Sequence, residues 1–143
     1  MPKQSPFARR SKSTGVADAS ILKGLRILLV DDSIENLEAF GALLELEGAE
    51  VTVESNAQRA LALAENCQFG LILSDIAMPG MSGYELIEAL RKRPNTAKVP
   101  AKALTGFGRD QDAARTLRAG FDAHIGKPVT LNALLRALGA NIP

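Results

Sequence analysis

One apolar run that ends in a carboxylate constrains the fold of this 143-residue chain more than any other stretch. Residues 71–75 read Leu-Ile-Leu-Ser-Asp, and Pro79-Gly80 closes the segment a few positions later. A short apolar run bounded by a Pro-Gly breaker is typical of a strand covered on both faces, and such strands belong to parallel sheets. Ligands bind outside the carboxyl ends of the strands in open sheets of this kind. Asp75 is therefore predicted to lie where chemistry takes place.

Three further apolar segments, at 26–30, 101–104 and 123–126, end in side chains that can take part in chemistry. The side chains that follow these segments are, in chain order, Asp31, Asp32, Thr105 and Lys127. If the strands are parallel, their last residues meet at one edge of the sheet. The set gathered there with Asp75 is then three carboxylates, one hydroxyl and one ammonium.

The charges of this set indicate what it could bind. Three crowded carboxylates repel one another unless a cation joins them, and Mg²⁺ binds to one or two carboxylates together with waters and phosphate oxygens. Magnesium is therefore the simplest interpretation. A carboxylate can also act as a nucleophile and form an aspartyl-phosphate. The phosphoryl oxygens then need positive charge and hydrogen bonds, which a metal, Lys127 and Thr105 would supply.

The motifs resemble the receiver domain of two-component response regulators over roughly residues 25 to 140. The matching motifs are Asp31-Asp32, Asp75 with Met78-Pro79-Gly80, Gly83, Thr105-Gly106 and Lys127-Pro128. The resemblance implies that Asp75 is the phosphoacceptor, that Asp32 is a direct metal ligand and that Asp31 acts mainly through metal-bound water. It also implies that the carbonyl of Ala77 completes the metal ligands. Thr105 would bind and report the phosphoryl group, and Lys127 would gain it as a partner after modification.

The same resemblance implies the fold and the partners. The fold would be α/β: a three-layer α/β/α, flavodoxin-like sandwich with a five-stranded parallel sheet of order 2-1-3-4-5. The chain would be a phosphorylation-dependent switch of a phosphorelay that takes its phosphoryl group from a phosphohistidine of a histidine kinase or histidine phosphotransfer protein. A downstream protein would read the changed surface, and a homodimer is left open. Residues 22–28 resemble the junction before receivers attached to hybrid histidine kinases.

Each motif also has a less specific interpretation. The pair Asp31-Asp32 could cap a helix, and Asp75 could be an ordinary turn residue, but neither explains four strand ends with matching chemistry. A phosphatase that passes through an aspartyl-phosphate is an alternative function, yet it typically needs a second acid where this chain has Ala77. A receiver that serves only as a binding module is a third alternative. The presence of Asp75, Thr105 and Lys127 argues against it.

His124 is a further candidate for the switch. It lies three residues before Lys127, where receivers usually carry a Tyr or Phe that turns inward when Thr105 moves toward the phosphoryl group. Inward rotation would bury the ring, and burial favours the neutral imidazole. We therefore expect His124 to make the switch pH-dependent. The alternative is a surface histidine without a role.

Composition places the chain among single folded domains. Apolar residues make up 46%, the net charge is +1 and the single cysteine, Cys67, cannot form an internal disulfide. A core is therefore expected, bulk electrostatics give no support for nucleic-acid binding, and a reducing cytoplasm is the expected compartment. No apolar run is long enough to span a membrane.

Residues 1–22 are predicted to be a flexible tail or linker, and residues 23–143 to be the receiver domain. The first segment has few apolar residues to bury and is rich in Ser, Pro, Thr and Gly. Its basic residues are Lys3, Arg9, Arg10 and Lys12. Such a composition does not build a core. A transit peptide is the weaker interpretation, and a chain cut from a longer protein is another.

Local signals predict the helix ends, the buried stripes and one unusual charge. The capping candidates are Ser33, Ser55 or Asn56, Ser82 and Thr130. The first helix has a predicted buried stripe of Ile34, Leu37, Phe40, Leu43, Leu44 and Leu46. A helix at 109–119 has only Ala113, Ala114, Leu117 and Ala119 to bury, which predicts an element that is loosely held. Lys102 interrupts the fourth strand and is expected to point outward or lie at an incompletely covered face.

Overall fold

The computed structural model describes residues 22–106 and 111–139, and this part of the chain alternates five strands with five helices. The strands are β1 (Arg26–Val30), β2 (Glu50–Glu54), β3 (Leu71–Asp75), β4 (Ala101–Gly106) and β5 (Ala123–Lys127). The helices are α1 (Ile34–Leu46), α2 (Ala57–Leu63), α3 (Gly83–Arg91), α4 (Gln111–Ala119) and α5 (Leu131–Gly139). None of these helices has the length and apolarity needed to cross a membrane.

The strands form one parallel sheet in the order β2-β1-β3-β4-β5, which confirms the predicted topology. Strand β3 lies in the middle and all five of its residues are buried. Its neighbours are in register through the pairs Leu28 with Ile72 and Leu73 with Lys102. The chain reverses the direction in which it adds strands between β1 and β3, and this reversal opens a crevice at their carboxyl ends.

Successive residues of the strands face two separate cores, which gives three layers. One core joins alternate strand residues to α1 and α5: Ile27, Leu29, Leu71, Leu73, Leu37, Phe40, Leu44 and Leu134. The other joins the intervening residues to α2 and α3: Leu28, Val30, Ile72, Ala57, Ala60, Leu86, Ile87 and Leu90. Strands of a parallel sheet read as near-continuous apolar runs because both faces are covered. The predicted three-layer α/β/α sandwich is confirmed.

The predicted helix caps are present. Ser33 Oγ accepts the amide of Asn36 at 3.2 Å, and Thr130 Oγ1 accepts the amide of Ala133 at 3.1 Å. The other N-cap residues are Asn56 and Ser82. Because Ser33 is the N-cap residue of α1, neither Asp31 nor Asp32 has that role. Their carboxylates remain available at the sheet edge.

The buried face of α1 is narrower than the sequence pattern suggested. Leu37, Phe40 and Leu44 are buried, whereas Ile34, Leu43 and Leu46 are 55%, 38% and 80% exposed. A helix on the outside of a sheet buries only the side that faces the strands. The predicted stripe was therefore too wide, and α1 keeps apolar side chains on its outer side.

Lys102 is fully buried, so the expectation that it points outward was wrong. Its exposure is 2%, and it faces the same core as Leu73 and Leu104. Burial lowers the pKa of the Lys102 ammonium, and the nearby Asp122 carboxylate partly opposes that change. The alternating register forces side chains of β4 toward one core or the other, so no outward direction exists for this position.

Helix α4 is attached mainly through Thr116 and Arg115. Thr116 is buried, whereas Ala114 and Leu117 are exposed, which leaves less apolar contact than the sequence pattern suggested. The guanidinium of Arg115 lies 4.1 Å from the centre of the Tyr84 ring on α3. The predicted helix start at Arg109 lies outside the described residues. The prediction that this helix has a small apolar face is confirmed.

The chain enters the described structure beside the end of α1. Leu22 is fully buried and packs in the same core as Leu44, and the Gly24 amide donates to the Gly48 carbonyl at 3.0 Å. A Cβ on Gly48 would lie 3.0 Å from Lys23 Cα, so the two backbones approach closely. The domain boundary at residue 22 stays a prediction, although the packing of Leu22 places this residue with the folded part.

Candidate functional site

Asp75 is the last residue of β3 and lies at the centre of the carboxyl edge of the sheet. It is 8% exposed, and its Oδ1 accepts the amide of Ile76 at 2.8 Å. The hydroxyl of Ser74 donates to the Asp75 carbonyl at 2.8 Å. Two local hydrogen bonds therefore fix the backbone and the carboxylate of this residue.

Helix α3 begins in direct contact with the backbone of Asp75. A Cβ at Gly83 would lie 2.2 Å from the Asp75 carbonyl oxygen, a separation that only glycine permits. The Gly83 amide donates to the Ile76 carbonyl at 2.9 Å, and Ser82 and Glu85 form a capping box around the same turn. Gly83 was recognised in the sequence as part of a motif. Its backbone contact with Asp75 was not predicted.

Three carboxylates meet at this edge. Asp31, Asp32 and Asp75 each offer one oxygen, and these oxygens lie within 4.8 Å of one another. Asp31 and Asp75 are buried and Asp32 is exposed. The three acids predicted to share a site are therefore adjacent, with one open toward solvent.

The loop after β1 holds Asp31 from two directions. Its Oδ1 accepts the amide of Ser33 at 2.9 Å, and its Oδ2 accepts a hydrogen bond from the Asn36 side-chain amide at 3.3 Å. The sequence analysis missed the contact from Asn36. The signal was available, since capping by Ser33 places Asn36 in the first turn of α1 above the two acids.

Lys127 joins the two buried carboxylates. Its ammonium lies 3.2 Å from Asp31 Oδ2 and 3.3 Å from Asp75 Oδ1. The expectation that Lys127 gains a partner only after modification was therefore wrong. Two buried acids this close require a counter-charge, and the ammonium supplies it in the unmodified protein.

Burial and charge shift the pKa of both partners. Burial raises the pKa of the Asp75 carboxyl; Lys127 lowers it, Asp31 adds to the rise, and the net change is upward. Burial lowers the pKa of Lys127, but the carboxylates of Asp75 and Asp31 outweigh this effect, so its pKa is raised. The Asp75 anion is thus less favourable here than in water. A further cation at this edge would stabilise it.

Thr105 lies at the end of β4, one residue beyond the pair formed by Asp75 and Leu104. Its Oγ1 is buried and has no hydrogen-bond partner among the described residues. Leaving a buried hydroxyl without a partner costs about 1–3 kcal/mol, so such groups usually signal a function. Among the described residues, Thr105 Oγ1 is the buried side-chain polar atom that lacks a hydrogen bond.

No hydrogen bond or ion pair of the described residues joins His124 or Ala77 to the acids. His124 is exposed on β5 and pairs in register with Ala103, and Ala77 is exposed two residues beyond Asp75. An exposed ring agrees with either interpretation of His124. The roles predicted for both residues stay predictions.

A groove opens beside the acids, between α1 and the segment that follows β5. Its volume is about 540 Å³, and its apolar lining includes Phe40, Leu43, Pro128 and Val129. Asp31 and Lys127 also line it. We refer to it as the α1–α5 groove. It places an apolar surface directly next to the charged site.

The donor set fits a hard divalent cation. Three carboxylates supply oxygen ligands, one of them is open to solvent, and only one ammonium of the described residues is paired with them. No thiol or imidazole of the described residues joins this group, which disfavours a soft metal such as copper(I). The residues therefore suit Mg²⁺.

A family model described as the response regulator receiver domain matches residues 27–139. The chain belongs to this family. The match spans every strand and helix of the sandwich and includes all the site residues named above. Receiver domains are signalling domains rather than enzymes in the usual sense, and they act in two-component systems together with histidine kinases or phosphotransfer proteins.

Two relatives differ in the share of their own length that this chain covers. An uncharacterized 14.6 kDa protein of Leptolyngbya boryana is 43% identical over 115 residues, which cover 80% of this chain and 88% of the relative. The sensor histidine kinase AruS of Pseudomonas aeruginosa is 35% identical over 135 residues, which cover 93% of this chain and 14% of the kinase. The receiver thus matches most of one small protein and a small part of a large kinase.

Two solved structures resemble this receiver. The receiver domain of the sensor histidine kinase PA1611 of Pseudomonas aeruginosa, with a magnesium ion in its active site cleft, is 32% identical with a TM-score of 0.75. That alignment covers 82% of this chain and 96% of the solved receiver-domain chain. The Ssk1 receiver of Saccharomyces cerevisiae, solved with the phosphotransfer protein Ypd1, is 26% identical with a TM-score of 0.73, over 81% of this chain and 87% of the other.

Proposed function

We propose that Asp75 is the residue of this receiver that accepts a phosphoryl group. The observation that carries the proposal is the position of its carboxylate at the end of the central strand, within 4.8 Å of two other acids and paired with Lys127. A nucleophilic carboxylate needs an open side and groups that balance the incoming charge. Lys127 and Thr105 supply such groups directly, and Asp31 and Asp32 would do so by holding Mg²⁺.

The transfer would exchange one phosphorus bond for another. An Asp75 oxygen forms a bond to phosphorus as the bond between phosphorus and the donor imidazole nitrogen breaks, and the imidazole takes up a proton. Lys127 is already beside Asp75 and can turn toward the new phosphoryl oxygens. The Thr105 hydroxyl can donate to them, which would give its buried oxygen the partner that the described residues do not provide.

Asp31, Asp32, Asp75 and the carbonyl of Ala77 would hold Mg²⁺ at this edge. The ion would neutralise charge that develops on the phosphoryl oxygens during transfer. Asp32 is the exposed acid and suits direct ligation, whereas Asp31 is already bound by Ser33, Asn36 and Lys127 and suits contact through water. The magnesium-bound PA1611 receiver supports this assignment.

The donor would be a histidine kinase or a histidine phosphotransfer protein. AruS supports the first and the complex of Ssk1 with Ypd1 supports the second. A downstream protein would then read the modified surface. Thr105, together with His124 on the neighbouring strand, would report the change on the β4 and β5 side.

Labelling with a small acyl phosphate tests the assignment. Incubation with acetyl phosphate and Mg²⁺ should add one phosphoryl group by intact mass, and Asp75→Asn should abolish the addition because the nucleophile is gone. Glu88→Gln, at an exposed position on α3, is the matched control and should label normally. Chelation of the metal should also prevent labelling. Undiminished labelling of Asp75→Asn would refute the assignment.

A further inference from the structure

The outer side of α1 carries an apolar stripe that the described residues leave exposed. Leu43 and Leu46 are 38% and 80% exposed, and Ala39 is exposed as well. Spacings of four and three residues place these three side chains on one face of the helix. Ala39 and Leu43 also line the α1–α5 groove. The stripe therefore continues into the groove beside Asp31 and Lys127.

The same side of the domain is strongly acidic. Every charged residue between positions 31 and 50 is an Asp or Glu. Glu35, Glu38 and Glu45 are exposed on α1, and the helix has no basic residue. Charges of one sign within a Debye length of about 8–10 Å produce a local negative potential. An occupant of this face should therefore combine basic residues with an apolar anchor.

Residues 1–21 of this chain have that composition. Their basic residues are Lys3, Arg9, Arg10 and Lys12, against a single acid, Asp18, and the segment includes one aromatic residue, Phe7. The rest of the chain carries no comparable excess of positive charge, because the whole chain has a net charge of only +1. The excess at one end matches the acidic α1 side in sign.

The segment also joins the domain at the right place. Residue 21 is followed by Leu22, which packs with Leu44 of α1, and Lys23 contacts the backbone of Gly48 just after that helix. With 13 residues, α1 is about 20 Å long. Phe7 precedes Leu22 by 15 residues, which can span up to about 50 Å when extended. The segment can therefore reach the whole length of α1.

We propose that residues 1–21 bind along α1 of their own domain, with the basic side chains facing Glu35, Glu38 and Glu45 and Phe7 in the α1–α5 groove. Attachment at the end of α1 gives the segment an effective concentration of the order of 1 mM, so even weak contacts hold it. This contact does not rest on the proposed function.

Cross-linking in the full chain tests the contact. A carbodiimide, which joins an amine to a carboxylate without a spacer, should link Lys12 or Lys3 to the glutamates of α1, as read by mass spectrometry of peptides. Raising the salt to about 1 M, where the Debye length falls to about 3 Å, should remove most of these links. Lys92, exposed on the far side at the end of α3, is the internal control and should form none with α1.

Mixing isotopically labelled with unlabelled chains separates two occupants. Links within one chain support the proposal. Links only between labelled and unlabelled chains would mean that a second copy covers α1, which overturns it. The lack of any link between residues 1–21 and α1 at low salt would overturn it as well.

Charge reversal gives an independent test. Arg9→Glu, Arg10→Glu and Lys12→Glu together should shift the amide resonances of residues 35–46, and Glu38→Arg with Glu45→Arg should restore much of the contact by exchanging the signs. Lys92→Glu with Arg118→Glu, at exposed positions elsewhere, is the control of equal type. Unchanged α1 resonances in the reversed variant would refute the contact. Labelling by acetyl phosphate should be equal in all these variants, so a failure of the proposed function would be visible separately.

Discussion

The two sides of Asp75 differ in how firmly the protein holds its site residues. On the β1 side, Asp31 accepts hydrogen bonds from Ser33 and Asn36, and α1 buries Leu37, Phe40 and Leu44 against the sheet. On the β4 and β5 side, the Thr105 hydroxyl has no hydrogen-bond partner among the described residues. Of the side chains of α4 that the structure describes, Thr116 alone is buried. Asp31 is therefore held tightly, whereas Thr105 and α4, which would respond, have fewer contacts among the described residues.

This difference suits a switch. A metal and a phosphoryl group need acids in fixed positions, because misplacing a ligand by even a fraction of an ångström weakens the transfer. A response needs an element with two arrangements of similar free energy, and such elements have few buried contacts. Lys127 connects the two sides, since it belongs to β5 and contacts acids from β1 and β3.

The largest effect should come from filling the backbone contact between Gly83 and Asp75 itself. Gly83→Ala would place a Cβ 2.2 Å from the Asp75 carbonyl oxygen, so α3 must move or the turn must open. We expect a loss of about 3 kcal/mol in the free energy of unfolding. Gly126→Ala is the matched control on β5, because no atom lies within 4 Å of its added Cβ. Urea unfolding measures both, and equal losses would erase the contrast between the contact at Asp75 and β5.

The second-largest loss in the free energy of unfolding is expected for Lys127, which contacts acids from both β1 and β3. Lys127→Ala leaves Asp31 and Asp75 facing each other, so we expect a loss of about 2 kcal/mol near neutral pH without metal, and partial recovery with Mg²⁺. The exposed Lys92→Ala should change little. Because the folded pKa of Lys127 lies above its ordinary value of 10.5, its stabilisation is present below that pH and is lost as the pH rises through the folded value. Identical stability of variant and parent at pH 7 would contradict this prediction.

A smaller effect should follow from removing the buried charge under β4. Lys102→Met keeps the length of the side chain and should raise the free energy of unfolding by about 1 kcal/mol at pH 7. The folded pKa of Lys102 lies below its ordinary value of 10.5, so the destabilisation is present at low and neutral pH and fades as the pH rises toward 10.5. Thermal unfolding across this range measures it, with Lys98→Met at an exposed position as control. An advantage that does not shrink at alkaline pH would show that charge is not the cause.

The smallest effect is expected at His124 on the loose side. If the ring turns inward in the modified state, packed side chains replace the water around it, so its resonances should shift when a phosphoryl mimic and Mg²⁺ are bound. The chain has one histidine, so its ring resonances in NMR spectra need no further assignment. Unchanged ring resonances with and without the mimic would leave His124 without a role in the switch.

The sequence predicted best the features that depend on local chemistry. The strand ends and the helix caps at Ser33 and Thr130 follow from patterns that extend over only a few residues. The gathering of the acids follows from these strand ends once the sheet is expected to be parallel. The exposure of Leu46 and the burial of Lys102 depend on which side of the sandwich each position faces and on how far the neighbouring layer extends. These are properties of the assembled layers. A periodic pattern in one segment does not contain them.

The partnership of Lys127 was missed for a related reason. The sequence predicted that its ammonium and the three acids lie at the same edge. Which acids the ammonium pairs with depends on differences in atomic position of about an ångström, and the sequence does not specify these. The resemblance to receivers assigned Lys127 to the phosphoryl group alone. The ammonium is needed before phosphorylation as well, because Asp31 and Asp75 are both buried and would repel each other without it.

The backbone contact between Gly83 and Asp75 limits which parts of the domain can move in response to phosphorylation. No side chain separates Asp75 from the start of α3, so the two backbones are packed directly against each other and α3 cannot shift relative to Asp75. A partner docked on α3 would detect the added charge at the site but no movement of the helix. A partner that responds to movement would have to bind the opposite side, where the Thr105 hydroxyl has no partner among the described residues and α4 buries few of its described side chains.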